Sequence, residues 1–142
     1  GHVTYRNPLP VAVALQPVGD GLLCIQRGIS PKRGEWALPG GFVEFHETWQ
    51  QACVRELCEE TGLEVDAANL ALFDVYSANG FILLFGLAPR IPASALPPFV
   101  ASEETLARKI ANTPQELAFP FHTKMLHMWL AQHSEAEPSS QS

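Results

Sequence analysis

Between Gly41 and Leu63 the chain reads GFVEFHETWQQACVRELCEETGL, and no other stretch limits the fold as tightly. A glycine stands at or near each end, and between them Glu47, Glu56, Glu59 and Glu60 accompany Arg55. On an α-helix, residues three and four apart share a face. Glu56, Glu59 and Glu60 are therefore expected to send their carboxylates into one small volume. Val54, Leu57, Cys58 and Thr61 carry the spacing of a buried stripe on the other side. Like charges one turn apart destabilise a helix by roughly 0.2–0.5 kcal/mol per pair, so something positive belongs beside them. Hard divalent cations such as Mg2+ take oxygen ligands and keep several waters for a substrate's phosphates.

The segment resembles the Nudix box, G-x5-E-x7-R-E-U-x-E-E-x-G-U with U aliphatic, at every specified position: Gly41, Glu47, Arg55, Glu56, Leu57, Glu59, Glu60, Gly62 and Leu63. A solvated acidic helix face, the ordinary account of a charge run, needs neither the bracketing glycines nor these gaps. The resemblance implies an α/β fold, an α/β/α sandwich around a mixed sheet. It also implies an enzyme, a pyrophosphohydrolase acting on phosphorus anhydrides. The bond cleaved is a diphosphate bond joining a nucleoside to another group. The cofactor is Mg2+ or Mn2+, with more than one ion once substrate is bound.

Carried over position by position, Glu56 and Glu60 match the family's most regular metal ligands. Glu59 matches a ligand or a base, and the Gly41 carbonyl a further ligand. Glu47 either touches metal or pairs with Arg55. Arg55 stays protonated, so its expected part is orienting the glutamates through charge-assisted hydrogen bonds. The general base lies in the box in some members and on a later loop in others. Glu59 is the first candidate and Glu104 the second. Glu103 and Glu104 read equally well as a surface pair opening a strand, and Glu44 is another acid near the mouth.

On the substrate side, Arg27, Trp36 and Phe42 are the candidates. Arg27 borders a basic loop with Lys32 and Arg33, the last two being accounted for by solvation. Trp36 precedes Leu38-Pro39-Gly40-Gly41 and either stacks on a nucleobase or packs in the core. His46, His122 and His127 share no spacing pattern and receive no chemical role.

Length and composition fit one globular domain: 142 residues, 46% hydrophobic and 17% charged. A net charge of −6 argues against a general nucleic-acid binder but not against a small phosphorylated substrate. The longest apolar stretch, Phe81 to Ala88, is far short of a membrane span, and a cytoplasmic location is the expectation. Cys24, Cys53 and Cys58 form no metal-binding spacing and read as reduced, packed thiols. A homodimer is compatible with the sequence, as is a monomer.

Along the chain, Leu9 to Val18 and Leu22 to Arg27 read as a hairpin around Gly19-Asp20-Gly21. Gly28 to Glu35 is a loop. Trp36 to Val43 is a short strand broken at Pro39-Gly40-Gly41, where glycine allows backbone geometry closed to other residues. The box helix runs from about Glu47 or Thr48 to Thr61, capped by Gly62. Strands follow at Leu70 to Ser77, Gly80 to Ala88 and Glu103 to Ala111, with an extended Pro89 to Phe99 loop between the last two. Pro114 opens a short helical turn. Phe121 to Gln132 forms a final helix with a Met125, Leu126, Trp129, Leu130 stripe. The domain is expected over 1–133 and a frayed tail over 134–142.

Substrate choice lies outside the box. The proline that ADP-ribose-cleaving relatives carry soon after it is missing, as is the SQPWPFPxS element of NADH-cleaving ones. Tyr76 falls slightly early for the diadenosine-polyphosphate pattern. Arg6-Asn7-Pro8 and the Trp36 to Phe42 run look more like a branch that often carries a zinc ribbon, here lacking. The preferred substrate is a nucleoside diphosphate linked to a second moiety, of the ADP-ribose or dinucleotide type. A (d)NTP pyrophosphohydrolase of the housecleaning kind is one alternative. A non-catalytic nucleotide-binding module is another, and isopentenyl diphosphate isomerase departs from the box.

Overall fold

Strand β1, Leu9–Leu15, decides which helix lies where, because its side chains alternate between two clusters. Val13 and Leu15 join Leu22, Cys24, Phe85, Met125, Leu126 and Trp129. Ala12 and Ala14 join Leu23, Ala52, Cys53, Leu57 and Leu63. The large residues thus meet the C-terminal helix, and the alanines meet the box helix, which can approach the strand closely. This is the computed structural model of the chain; it describes residues 7–136, and the side chains of 7–133.

The sheet around β1 is mixed. β1 runs parallel to β7 (Phe81–Leu87) and antiparallel to β5 (Gly40–Phe42), and β6 (Ala71–Ala78) forms a hairpin with β7. Its order is β5-β1-β7-β6. A second, antiparallel sheet contains β2 (Pro17–Val18), β3 (Gly21–Arg27) and β4 (Trp36–Ala37), with β8 (Thr105–Ala111) also paired to β3. Helix α1 (Trp49–Thr61) packs on one side and α2 (Pro120–Ala136) on the other, giving the expected α/β/α layering.

Two expected strands are each divided between the sheets. Leu9 to Val18 breaks at Gln16, whose fully buried side chain donates to the carbonyls of Pro17 and Pro89, 2.9 Å each. Pro17 has no N–H for the ladder, so only Pro17–Val18 forms the hairpin with β3. Trp36 to Val43 breaks at Leu38-Pro39, not at the glycines: Gly40 and Gly41 are strand residues paired with Val13 and Ala12.

Helix α1 begins at Trp49, after a capping box at Thr48. Thr48 Oγ1 accepts from the Gln51 N–H at 3.1 Å, and Gln51 Oε1 accepts from the Thr48 N–H at 2.9 Å. It ends at Gly62 in the left-handed conformation, φ 83°, with the Gly62 N–H on the Cys58 carbonyl. The buried face is Ala52, Cys53, Leu57 and Thr61. The expected stripe of Val54, Leu57, Cys58 and Thr61 is corrected to a row of fourfold steps, because helices pack along such ridges. Val54 and Cys58 are half-buried at its flank.

The helical turn expected at Pro114 is absent; the N–H groups of Leu117 and Ala118 go instead to Thr123 Oγ1 and the Trp36 carbonyl, 2.8 and 2.7 Å. The final helix is longer than expected and reaches Ala136, past the expected start of the tail, while 137–142 lie outside the described residues, as does Arg6. β8 starts at Thr105 because Ser102 and Thr105 close a turn, through Thr105 N to Ser102 Oγ at 3.1 Å, that leaves Glu103 and Glu104 exposed at its tip. All three cysteines are free, with Cys24 and Cys53 buried.

Candidate active site

The site forms where the chain crosses from β4 to β5. At this crossing Ala14 N donates to the Pro39 carbonyl at 2.8 Å, and the Gly40 N–H turns to Glu60 Oε1 at 3.2 Å. Gly41 faces the box helix, and a Cβ there would collide with the Glu56 carboxylate. A Cβ at Gly40 would lie 2.7 Å from the Ala12 carbonyl oxygen. Both glycines are therefore needed for close approach, and neither has a positive φ. β5 and α1 can touch only because these side chains are missing.

Arg55 is the hub. It donates to both oxygens of Glu47, at 3.0 and 2.7 Å, to Glu56 Oε2 at 3.0 Å, to Glu59 Oε1 at 3.3 Å and to the Phe42 carbonyl at 3.1 Å. Glu44 adds a longer contact at 3.4 Å. Every ion pair among the described residues belongs to this one guanidinium. Its hydrogen bond from Arg55 holds Glu47 below the usual carboxylate range, and the same bond raises Arg55 further.

Glu56 and Glu60 behave differently. Burial pushes Glu56 up, partly offset by its hydrogen bonds with Glu60 and Arg55. Burial first, and then the hydrogen bond and charge of Glu56, push Glu60 up to about 9. The two carboxyls are thus coupled, both raised by burial, with Arg55 opposing the rise at Glu56. Glu59 does not join them. Its side chain is 58% exposed and turned toward Arg55. The expected single volume of three carboxylates is therefore a half-buried pair with a third acid outside.

The remaining candidates are scattered around this pair. Arg27 has no carboxylate partner among the described residues; its Nε donates to the Pro31 carbonyl at 2.7 Å, its guanidinium lies 5.1 Å from the Phe119 ring centroid, and its charge reaches Glu60. Trp36 is half-buried against the core, with Lys109 Nζ 4.5 Å from its ring centroid. Phe42 offers Arg55 its carbonyl, while its ring is exposed and 6.2 Å from that of Phe81. Glu104 is exposed and makes no side-chain bond to the cluster among the described residues; its carbonyl accepts from Gly28 N at 2.9 Å. His122, given no role from its spacing, is buried with Nδ1 accepting from the Leu38 N–H at 3.1 Å. Only the tertiary fold shows that contact.

The chain is similar to known proteins. The NUDIX domain profile matches residues 7–123. The chain belongs to the NUDIX domain family. An "ADP-ribose pyrophosphatase" of Methanocaldococcus jannaschii is 48% identical over 77 residues, 52% of this chain and 44% of that protein. A "Putative 8-oxo-dGTP diphosphatase 2" of Mycobacterium tuberculosis is 49% identical over 69 residues, 48% of this chain and 47% of that protein. The chain thus spans less than half the length of these curated relatives. The solved NUDIX hydrolase of Nitrosomonas europaea superposes with a TM-score of 0.79 at 24% identity, over 96% of this chain and 78% of that one, a likeness of fold.

NUDIX hydrolases generally use divalent metals, and the donor set here fits one. Glu56, Glu59, Glu60 and the Gly41 carbonyl are hard oxygen donors, and burial pushes two of the carboxyls, Glu56 and Glu60, up together, a strain that a cation would relieve. Among the described residues no three such side chains converge on a metal-sized point as they stand, since Glu59 is held by Arg55. No helix among the described residues is long and apolar enough to cross a membrane.

Proposed function

We propose that the protein is a metal-dependent pyrophosphohydrolase that cleaves the diphosphate bond of a nucleoside diphosphate linked to another moiety, of the ADP-ribose type. The observation that carries it is the Glu56–Glu60 pair. It is desolvated, pressed against Gly40 and Gly41, and backed by an arginine that bonds to the acids around it. A purely structural site would gain nothing from two adjoining half-buried carboxyls, whose mutual repulsion needs a proton or a cation to relieve it.

The roles proposed for the residues are these. Glu56, Glu60, Glu59 and the Gly41 carbonyl hold Mg2+ or Mn2+, with more than one ion when substrate is present. A bound divalent cation offsets phosphate charge and lowers the pKa of water. Arg55 orients Glu56 and Glu47 and holds the Glu47 carboxyl below its usual range. Arg27, free of any carboxylate partner among the described residues, contacts phosphate beside Glu60. Glu59, exposed and held by one 3.3 Å contact, is the base that reaches solvent most easily. Glu104 is the less favoured base, because its side chain stands outside the cluster. Trp36 and Phe42 present partly exposed rings for the nucleoside. The partner is thus a small nucleotide, and the compartment proposed is the cytoplasm.

The name of the M. jannaschii relative supports the ADP-ribose reading, and that of the M. tuberculosis relative supports the second, a (d)NTP pyrophosphohydrolase. Incubation with Mg2+ and a panel of ADP-ribose, dinucleotides, (d)NTPs including 8-oxo-dGTP, and monophosphates decides between them. Glu56→Gln should lower the best rate by about two orders of magnitude or more. Binding of a nucleotide without any turnover would overturn catalysis in favour of a non-catalytic module.

A further inference from the structure

The crossing from β4 to β5 creates a problem that the two sheets do not solve. Leu38 has left the second sheet at Ala37 and has not yet joined the mixed sheet at Gly40. Its side chain is buried in the core at 2% exposure, so its N–H has no ladder partner and little access to water. Buried N–H groups in native proteins are almost always paired. The partner here is a ring nitrogen, His122 Nδ1, contributed by the first turns of α2.

The segment leading to His122 reinforces this. Ala118 N donates to the Trp36 carbonyl at 2.7 Å, so the outer edge of Trp36–Leu38 is bonded on both sides of Ala37 by residues 118–122. His122 is buried and lies edge-on to Phe85 and Phe119 at 6.0 and 5.0 Å between ring centroids. Accepting a backbone N–H through Nδ1 requires the neutral tautomer with hydrogen on Nε2, which the buried setting favours. Two residues past Leu38, the Gly40 N–H meets Glu60, and one further on Gly41 meets Glu56.

We infer that His122 is a positioning residue for the proposed hydrolase: its Nδ1 fixes the Leu38–Gly41 crossing and thereby the place of the Glu56–Glu60 pair. This rests on the functional reading above only for its kinetic readout. The residue acts through backbone, not by touching substrate or metal. The chemistry demanded at position 122 is a neutral acceptor at the distance of Nδ1 from the backbone. An asparagine carboxamide oxygen stands at about that reach, a glutamine oxygen one methylene farther, and leucine has none.

The experiment compares His122→Asn, His122→Gln and His122→Leu in the full chain. Hydrogen exchange of the Leu38 amide, read against that of Leu23, should accelerate at least about tenfold in the leucine and glutamine variants and stay within about threefold of the parent in the asparagine variant. On the best diphosphate substrate, kcat should fall about tenfold or more in the first two with KM nearly unchanged, and recover in asparagine. The affinity for Mn2+ alone, followed by water proton relaxation, should follow the same order. If leucine does not fold, the asparagine and glutamine pair still decides, since they share chemistry and differ in reach. Equal impairment of asparagine and glutamine, or unaltered Leu38 exchange in all variants, overturns the inference. If the parent hydrolyses nothing, the functional reading fails, while exchange and Mn2+ affinity still judge His122.

Discussion

Gly41→Ala separates the roles of the two glycines at the crossing. The new Cβ would stand 2.5 Å from Glu56 Cδ and 2.9 Å from Oε1. Ordinary carbon contacts lie near 3.5 Å, so the carboxyl must retreat by about 1 Å. The obstacle is the end of a side chain, so the fold can yield. The retreat breaks the 3.0 Å bond from Arg55 and the bond to Glu60. Overpacking of this kind costs about 1–2 kcal/mol, a fall in Tm of about 2–8 °C for a domain of this size. A misplacement of about 1 Å at a reacting centre costs on the order of 10²-fold in rate. Gly40→Ala is the contrast. Its Cβ meets backbone, the Ala12 carbonyl oxygen at 2.7 Å and Val13 Cα at 3.0 Å, so β5 must part from β1. It should cost more stability than Gly41→Ala. The assay is a thermal melt of each variant beside initial rates on ADP-ribose at saturating Mg2+. Gly41→Ala with a rate within about threefold of the parent would refute the claim that the missing Cβ seats Glu56.

Glu60→Gln replaces a carboxyl that burial and Glu56 push up to about 9, so the metal-free Tm should hold or rise while the increase in Tm on adding Mg2+ disappears; an unchanged Mg2+ response excludes Glu60 as a ligand. His122, pushed down to about 3 by burial and by the charge of Arg27, stays neutral in the folded chain while the unfolded chain takes up a proton below the ordinary 6.5. Its contribution is therefore complete above pH 6.5 and is lost as pH falls toward 3, at up to about 1.4 kcal/mol per pH unit. Urea titrations across that window should show a shallower slope in His122→Asn, and an identical slope counts against a neutral His122. Arg108 donates to the Thr61 carbonyl at 2.6 Å and to that of Pro97, tying the end of α1 to the proline-rich loop. Arg108→Met should cost about 1–3 kcal/mol by stranding those carbonyls; a denaturation midpoint equal to the parent's would show that water replaces the arginine.

The sequence by itself determined what depends on near neighbours. Helix α1 was legible from about Glu47 or Thr48 to its Gly62 cap, because such signals act within one turn. The family is written in box residues whose spacing is a helical repeat. The alternating strands are likewise local in origin. What only the tertiary structure decided depends on residues far apart in the chain. The division of Leu9 to Val18 and Trp36 to Val43 between two sheets comes from Gln16 reaching Pro89, and from Leu38 reaching His122. Periodicity could not separate Glu59 from Glu56 and Glu60. The helix presents all three within one turn, and it is the approach of β5 that buries two and leaves the third to Arg55. The glycines of the crossing follow the same rule: a backbone torsion would have been a local reason for them, whereas the space taken by Glu56 and Ala12 exists only once strand and helix have met.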